Sequence, residues 1–268
     1  MAAIRSSLVL PLLALLACGQ EPEAPDPPAR AAEAPACQSR TFDGSAFTVC
    51  RYDRRRHEIA LFLDGHGGRR LRSLEALEAE LGGRAATLRF AMNAGMYGED
   101  GGPIGLYVAE GRQRRAINRR KGGGNFHMLP NGVFQVAGDG RVSIVRSAAY
   151  RPASRRRWAT QSGPMLVIDG AFHPMIQPNG ASLNVRNGVC VVNSSTAWFA
   201  ISDEPVSFGR LARLFRDELG CPNALYFDGS VSSLWDRPAG RRDGYSELGP
   251  MIAVFDKTER TAPATVRR

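Results

Sequence analysis

No apolar run in this chain is long enough to cross a bilayer as a mature helix. The longest, residues 8–16, stops well short of the roughly 20 residues a crossing needs. Cysteine is scarce, with five in 268 residues. None stands in a CxxC pair, which argues against a zinc site or dithiol exchange. The four histidines, His57, His66, His127 and His173, show no zinc spacing with each other or with Asp169. Lys121-Gly-Gly-Gly124 lacks the Lys-Ser/Thr and the helix of a phosphate-binding P-loop, and reads instead as a flap over a site. The net charge of +9 comes from arginine-rich runs at 54–56, 112–120 and 155–157. Those runs have no interleaved aromatics and match no nucleic-acid-binding module, so they read as solvated loops and no nucleic-acid partner is expected. No internal repeat and no regular βα alternation is present, which argues against solenoid, Rossmann and barrel folds.

What is there begins with an export signature. One positive charge, Arg5, precedes the apolar run, as in a secretory signal. The run ends Leu15-Leu16-Ala17-Cys18, which resembles the lipobox of bacterial lipoproteins; an ordinary signal peptide cut near Ala17 is the alternative. The expected organisation is a signal peptide over 1–17 and a lipidated Cys18 opening a Pro/Ala-rich tether over 18–36. One globular domain follows over 37–256, then a disordered basic tail over 257–268. Gly19 after the cysteine, by the same resemblance, favours a lipid anchor in the outer membrane, facing the periplasm or the cell surface. Four cysteines remain. In an exported protein they suggest two disulfides out of three possible pairings, or buried free thiols for the second pair. Proximity favours Cys37–Cys50, which leaves Cys190–Cys221 to tie a core strand to the strand entering Asp228.

Strand patterns recur at 47–52, 58–63, 88–92, 106–109, 132–136, 142–145, 189–192, 197–201, 224–227 and 251–255. Only two helices are signalled. Ser73 caps a short one carrying Leu74, Leu77 and Leu81. Ser207 caps one carrying Phe208, Leu211, Ala212, Phe215 and Leu219, stopped by Gly220 and Pro222. The expected fold is a single α+β domain with a large mixed or mostly antiparallel sheet and few short helices.

Four strand ends run into polar, glycine-containing elbows: Met92-Asn-Ala-Gly95, Gln161-Ser-Gly163, Val185-Arg-Asn-Gly188 and Phe227-Asp-Gly229. Asp228-Gly229 alone reads as a hairpin turn. Four elbows offering carboxylate, guanidinium, amide and hydroxyl groups read as one polar pocket. Asp169, Asp203 and Asp228 offer oxygens to Ca²⁺ or Mg²⁺, but no spacing matches a binding loop. No metal ligand is assigned, no cofactor is expected, and a divalent cation stays open.

From about Phe90 to Trp235 the chain resembles the phosphodiester glycosidase (uncovering-enzyme) superfamily, in its bacterial YigE-like branch. The matching pieces are Phe90-Ala-Met-Asn-Ala-Gly-Met-Tyr97, Pro103-Ile-Gly-Leu-Tyr107, Gly124-Asn-Phe126 with Pro130-Asn-Gly-Val-Phe134, Ala159-Thr-Gln-Ser-Gly-Pro-Met-Leu166, His173-Pro174, Arg186-Asn-Gly-Val189 and Cys221-Pro-Asn-Ala-Leu-Tyr-Phe-Asp-Gly-Ser230. The branch usually has glycine where Cys190 stands, so a Cys190–Cys221 bond would belong to this protein rather than to the branch. The resemblance implies hydrolysis of a sugar joined through its anomeric carbon to a phosphodiester, in a glycan, wall polymer or glycolipid. A non-catalytic binder of phosphorylated glycans and a structural envelope lipoprotein are the alternatives. A sugar phosphodiester releases a phosphate monoester, a good leaving group, so a cation on the phosphate matters more than a proton donor. On that chemistry Arg186 holds the phosphate and Asp228 faces the anomeric carbon as base, nucleophile or charge stabiliser. His173 is a candidate acid–base group. Asn93, Gly95, Asn125, Gln161, Ser162, Asn187, Gly229 and Ser232 are the expected substrate contacts.

Overall fold

A computed structural model describes residues 35–257; the signal peptide, Cys18 with nearly all of the tether, and the tail from 258 onward lie outside the described residues. Ala36, the last residue of the expected tether, is buried, and its carbonyl accepts from Arg51 N–H at 2.8 Å. Lys257, expected in a disordered tail, donates its backbone N–H to Arg56.

Three antiparallel sheets build the domain. The first contains β1 (Cys37–Phe42), β2 (Ser45–Asp53), β10 (Met165–Ile168), β11 (Ala171–Phe172), β12 (Asn187–Asn193), β13 (Thr196–Ser202) and β14 (Asn223–Tyr226). Its spatial order is β1-β2-β13-β12-β14-β10-β11. The second contains β3 (His57–Phe62), β4 (Leu88–Asn93), β15 (Leu234–Asp236), β16 (Arg241–Arg242) and β17 (Met251–Asp256), in the order β16-β15-β4-β17-β3. The third contains β5 (Tyr107–Ala109), β6 (Arg112–Arg115), β7 (Gly132–Ala137), β8 (Val142–Arg146) and β9 (Arg156–Ser162), in the order β6-β5-β9-β7-β8.

Every residue of β4 is buried, Arg89 and Asn93 included, so both faces of this strand are covered. Phe199 of the first sheet meets Phe90 of the second at 5.3 Å between centroids and Phe134 of the third at 5.8 Å. These rings join the three sheets in one core.

Helix α1 (Leu74–Leu81) is capped by Ser73, whose hydroxyl accepts from Ala76 N–H, and it buries Leu74, Leu77 and Leu81 as the pattern required. Helix α2 (Phe208–Arg213) is capped by Ser207. It is shorter than the apolar spacing predicts, because residues 214–218 widen into a π turn before Gly220. Two readings change. The basic run at 112–120 begins as an exposed edge strand, β6, not a loop. Asp228-Gly229 is not a hairpin: β14 belongs to the first sheet and β15 to the second, so this turn carries the chain from one sheet to the other.

Both disulfides follow the proximity pairing, Cys37–Cys50 and Cys190–Cys221. Cys37 and Cys50 stand opposite each other in the β1–β2 register.

Candidate active site

The registers bring one end of each sheet together. Gly188↔Tyr226 and Met165↔Leu225 set the starts of β12 and β10 beside the end of β14. Met251↔Asn93 and Leu234↔Met92 set the end of β4 beside the starts of β17 and β15. Gly132↔Ser162 and Tyr107↔Thr160 set the end of β9 beside the starts of β7 and β5. The four polar elbows sit at these ends, and they touch. Asn187 Nδ2 donates to Asn93 Oδ1 at 2.9 Å, and Asn93 Nδ2 donates to the Asp228 carbonyl at 2.7 Å. Asp228 N–H donates to Ala94 O, and Tyr226 N–H to Pro164 O. A Cβ on Gly95 would fall 2.3 Å from Thr160 Oγ1 and 2.4 Å from the Gln161 carbonyl, so only glycine allows the first and second elbows to close on each other.

Much of the polar constellation is scaffold. Asn93 Oδ1 also accepts from Ser233 N–H, and Asn187 Oδ1 lies 3.2 Å from Ser232 Oγ. Ser232 Oγ also reaches the Val185 and Gly229 carbonyls. Gln161, expected to hold substrate, is buried. Its carbonyl oxygen accepts from Leu106 and Asn118 N–H, and its amide donates to Asn118 O and Ser147 Oγ. Gln161 therefore fastens loops of the third sheet and has no spare group for a ligand.

Arg186 also differs from expectation. It is 1 % exposed. Its Nε donates to Val206 O, Nη1 to Tyr226 Oη at 3.2 Å, and Nη2 to the carbonyl and hydroxyl of Ser182. The guanidinium lies 3.6 Å from the Phe208 ring centroid. Burial pulls its pKa down, with Tyr226 opposing. Among the described residues no carboxylate lies within 4 Å of it. Asp169 pairs with Arg146, and Asp203 with Arg241, so these acids are engaged away from Asp228. Arg186 is thus a buried cation held by neutral oxygens and aromatic faces.

Asp228 is half-buried, and its carboxylate accepts one hydrogen bond, from Ser230 N–H at 3.3 Å. Burial pushes its pKa above the usual carboxylate value; the Ser230 contact opposes this. No cation among the described residues pairs with it. Tyr226, which the sequence reading passed over as a core residue, links the two charged groups. Its hydroxyl takes the Arg186 bond and presses on Gly229, where a Cβ would meet it at 1.9 Å. Burial raises its pKa first, with Arg186 pulling down and Asp228 pushing up. The signal was available: Tyr226 and Asp228 are two apart leaving a strand and so share a face. Tyr97 is a second omission. It is half-buried, its hydroxyl donates to Glu247 O at 2.5 Å, and its pKa is raised by burial and then by Asp228.

Three expected residues remain. Ser162 Oγ is fully buried and has no protein partner. Asn125 is half-buried, at the start of a 3₁₀ turn whose backbone packs near Gly163. His173 is buried, with Nδ1 accepting from Met175 N–H and Nε2 turned toward Leu129 O outside hydrogen-bonding geometry. Burial pulls its pKa below the ordinary histidine value, with the Leu129 carbonyl opposing. Two cavities, of about 560 and 640 Å³, open elsewhere, beside β3 and beside the turn that follows β5. Neither includes an elbow residue.

Residues 86–255 match the family model for phosphodiester glycosidase. The uncharacterised protein YigE of Escherichia coli (strain K12) is 36 % identical over 205 residues, covering 76 % of this chain and 79 % of YigE. Two solved structures share the fold at 13 % identity. One is the catalytic domain of zebrafish N-acetylglucosamine-1-phosphodiester alpha-N-acetylglucosaminidase, auto-inhibited by its pro-peptide. It has a TM-score of 0.57, with 82 % of each chain covered. The other is a Burkholderia pseudomallei K96243 protein described as exported, with a TM-score of 0.55 and coverage of 79 % of this chain and 74 % of that one. With the family model spanning both the Asn93 and the Asp228 elbows, the chain belongs to the phosphodiester glycosidase family of glycosidase-type hydrolases.

Proposed function

We propose that the protein is an envelope hydrolase that cleaves the bond between an anomeric carbon and the oxygen of a phosphodiester, with Asp228 as the reacting carboxylate. The observation carrying this is the state of Asp228: half-buried, unpaired, and aimed from a turn fixed by three other elbows. One free carboxylate suits this reaction. Asp228 takes a proton from water as the water oxygen bonds to the anomeric carbon. The carbon–oxygen bond breaks, and its electron pair leaves on the phosphate monoester, which needs no proton donor.

Arg186 serves from below the site. Its charge reaches the Asp228 turn through Tyr226, and its own N–H groups are mostly taken by Val206, Ser182 and Tyr226. Ser162 Oγ, Asn125 and the backbone around Gly229 are the groups left for sugar and phosphate oxygens. Export is supported by the signal-like N-terminus and the two disulfides. Lipidation of Cys18 and an outer-membrane location remain part of this reading.

The test is turnover of an activated sugar-1-phosphodiester by purified protein. Wild type should release free sugar and phosphate monoester, while Asp228→Asn should lose at least about 100-fold in kcat. Equal rates would remove Asp228 from the chemistry, and binding without turnover would make the protein a phosphoglycan-binding module.

A further inference from the structure

At the strand ends away from Asp228, several turns are joined to one another by backbone bonds. Arg54 N–H, between β2 and β3, donates to Ser195 O, between β12 and β13. Val142 N–H donates to Ser194 O, Gly138 N–H to Arg155 O, Gly111 N–H to Arg157 O and Lys257 N–H to Arg56 O. Arg54 also lies 3.7 Å from the Asp139 carboxylate. Residues 53–57, 110–111, 138–141, 151–157, 194–195 and 256–257 therefore form one surface. They carry nine cations against four acids, while all the other described residues carry 21 against 17. More than half of the net charge of +9 sits at this one end.

The charge lines a cleft. The cavity of about 640 Å³ beside the turn that follows β5 is walled by Arg141, Arg155, Arg156 and Arg157, with Glu110 and Asp139 as its acids. Asp139 is already shared between Arg141 at 3.0 Å and Arg54. Arg156 is fixed in the wall by Gln135 Oε1, Tyr150 Oη and the Arg151 carbonyl. Arg155 and Arg157 are exposed, and among the described residues no carboxylate lies within 4 Å of either. A cleft with an excess of one sign focuses its field, and guanidinium forks take phosphate or carboxylate oxygens two at a time.

Shape and chemistry select among anionic partners. None of the exposed large hydrophobic residues, Leu129, Met175, Leu183 and Tyr245, lies in these turns, so they offer a bilayer nothing to insert. Trp158 and Tyr150, beside the cleft, are buried and give nucleic-acid bases no stacking platform. A concave, charged trough suits a polyanionic chain, whose repeated charges add along it.

We propose that this cleft is an exosite, a binding site apart from the reacting centre, for a polyanionic chain. Arg155 and Arg157 grip the chain, and Arg54, Arg141 and Lys257 attract its flanking charges. Strand β9 sets the spacing: it runs from Arg156 at the cleft to Ser162 at the elbows, about 20 Å at roughly 3.4 Å per residue. Resting on the reading of Asp228 as the reacting group, the proposal makes the substrate a sugar-phosphate polymer long enough to occupy both places.

The test is binding of end-labelled inorganic polyphosphate to the purified full chain, read by fluorescence anisotropy over a range of salt. Polyphosphate should bind, and more weakly as salt rises. Arg155→Ala with Arg157→Ala keeps the backbone bonds of both residues. It should raise Kd about tenfold at low salt and flatten the slope of log K against log salt by about one to two, as two phosphate contacts are lost. Arg120→Ala with Lys121→Ala removes the same charge elsewhere and should change Kd less than about twofold, as should Asp228→Asn. Four results overturn the proposal. They are no binding at low salt, equal weakening by both double variants, displacement of the polymer by orthophosphate at equal phosphorus, and tighter binding to phosphatidylglycerol vesicles than to polyphosphate. Polyphosphate binding without hydrolysis of a sugar-1-phosphodiester would sink the enzymatic reading and leave the exosite standing; hydrolysis without polyphosphate binding would do the reverse.

Discussion

At the scale of single residues, the site stores an electrostatic cost. The folded-state pKa of Asp228 is raised, so its contribution to stability is greatest at acid pH and is lost as pH rises through the folded value. Asp228→Asn should therefore raise Tm at pH 7 and give no gain once the wild-type carboxyl is protonated, measured by thermal melts across pH. Activity runs the other way. A base must be ionised, so kcat should climb with pH through the same raised value, and the acid limb should vanish in the variant. The burial of Arg186 is not legible in the sequence. Its burial depends on Ser182, on Val206 with Phe208, and on Tyr226, which come from three separate places in the chain. Lysine cannot reproduce that fork, so Arg186→Lys should cost about 1–3 kcal/mol in chemical denaturation as the acceptors lose partners.

At the scale of elements, the turn between β14 and β15 changes sheets, and its shape is held by packing rather than by a ladder. Gly229 lies against the Tyr226 hydroxyl, so Gly229→Ala should shift the turn, lower kcat and cost about 1–3 kcal/mol. Melting and turnover of the same sample check both effects. The strands, the two helix caps and the disulfide partners were readable because alternation, Ser caps and cysteine parity are local signals. The sheet change was not, since Asp-Gly after an apolar strand has the same local pattern whether the next strand pairs with it or leaves. Gln161 misled for a related reason. A glutamine at a strand end has the same sequence signature whether it faces a ligand or, as here, the backbone of residues 106 and 118. Cys190–Cys221 closes a separation of 31 residues around α2. Replacing both cysteines by alanine should lower stability by about 2–4 kcal/mol, read by denaturant unfolding.

At the scale of the molecule, three sheets would each be an ordinary antiparallel element, and the site exists only where their ends meet. That meeting depends on cross-sheet contacts, chiefly Asn93 with Asn187 and Asp228, Gly95 against Gln161, and the tilted and edge-to-face contacts of Phe199 with Phe90 and Phe134. The convergence was foreseen from the number of polar elbows, but which groups face outward was not, because one sequence pattern serves both scaffold and site. The central claim is that this junction presents Asp228 to a sugar phosphodiester. It is tested most directly by mixing the purified protein with an activated sugar-1-phosphodiester and following free sugar and phosphate monoester together. The account predicts equimolar release by wild type and a loss of at least about 100-fold with Asp228→Asn, in a variant that melts no lower than wild type at pH 7. Undiminished release by that variant would contradict it.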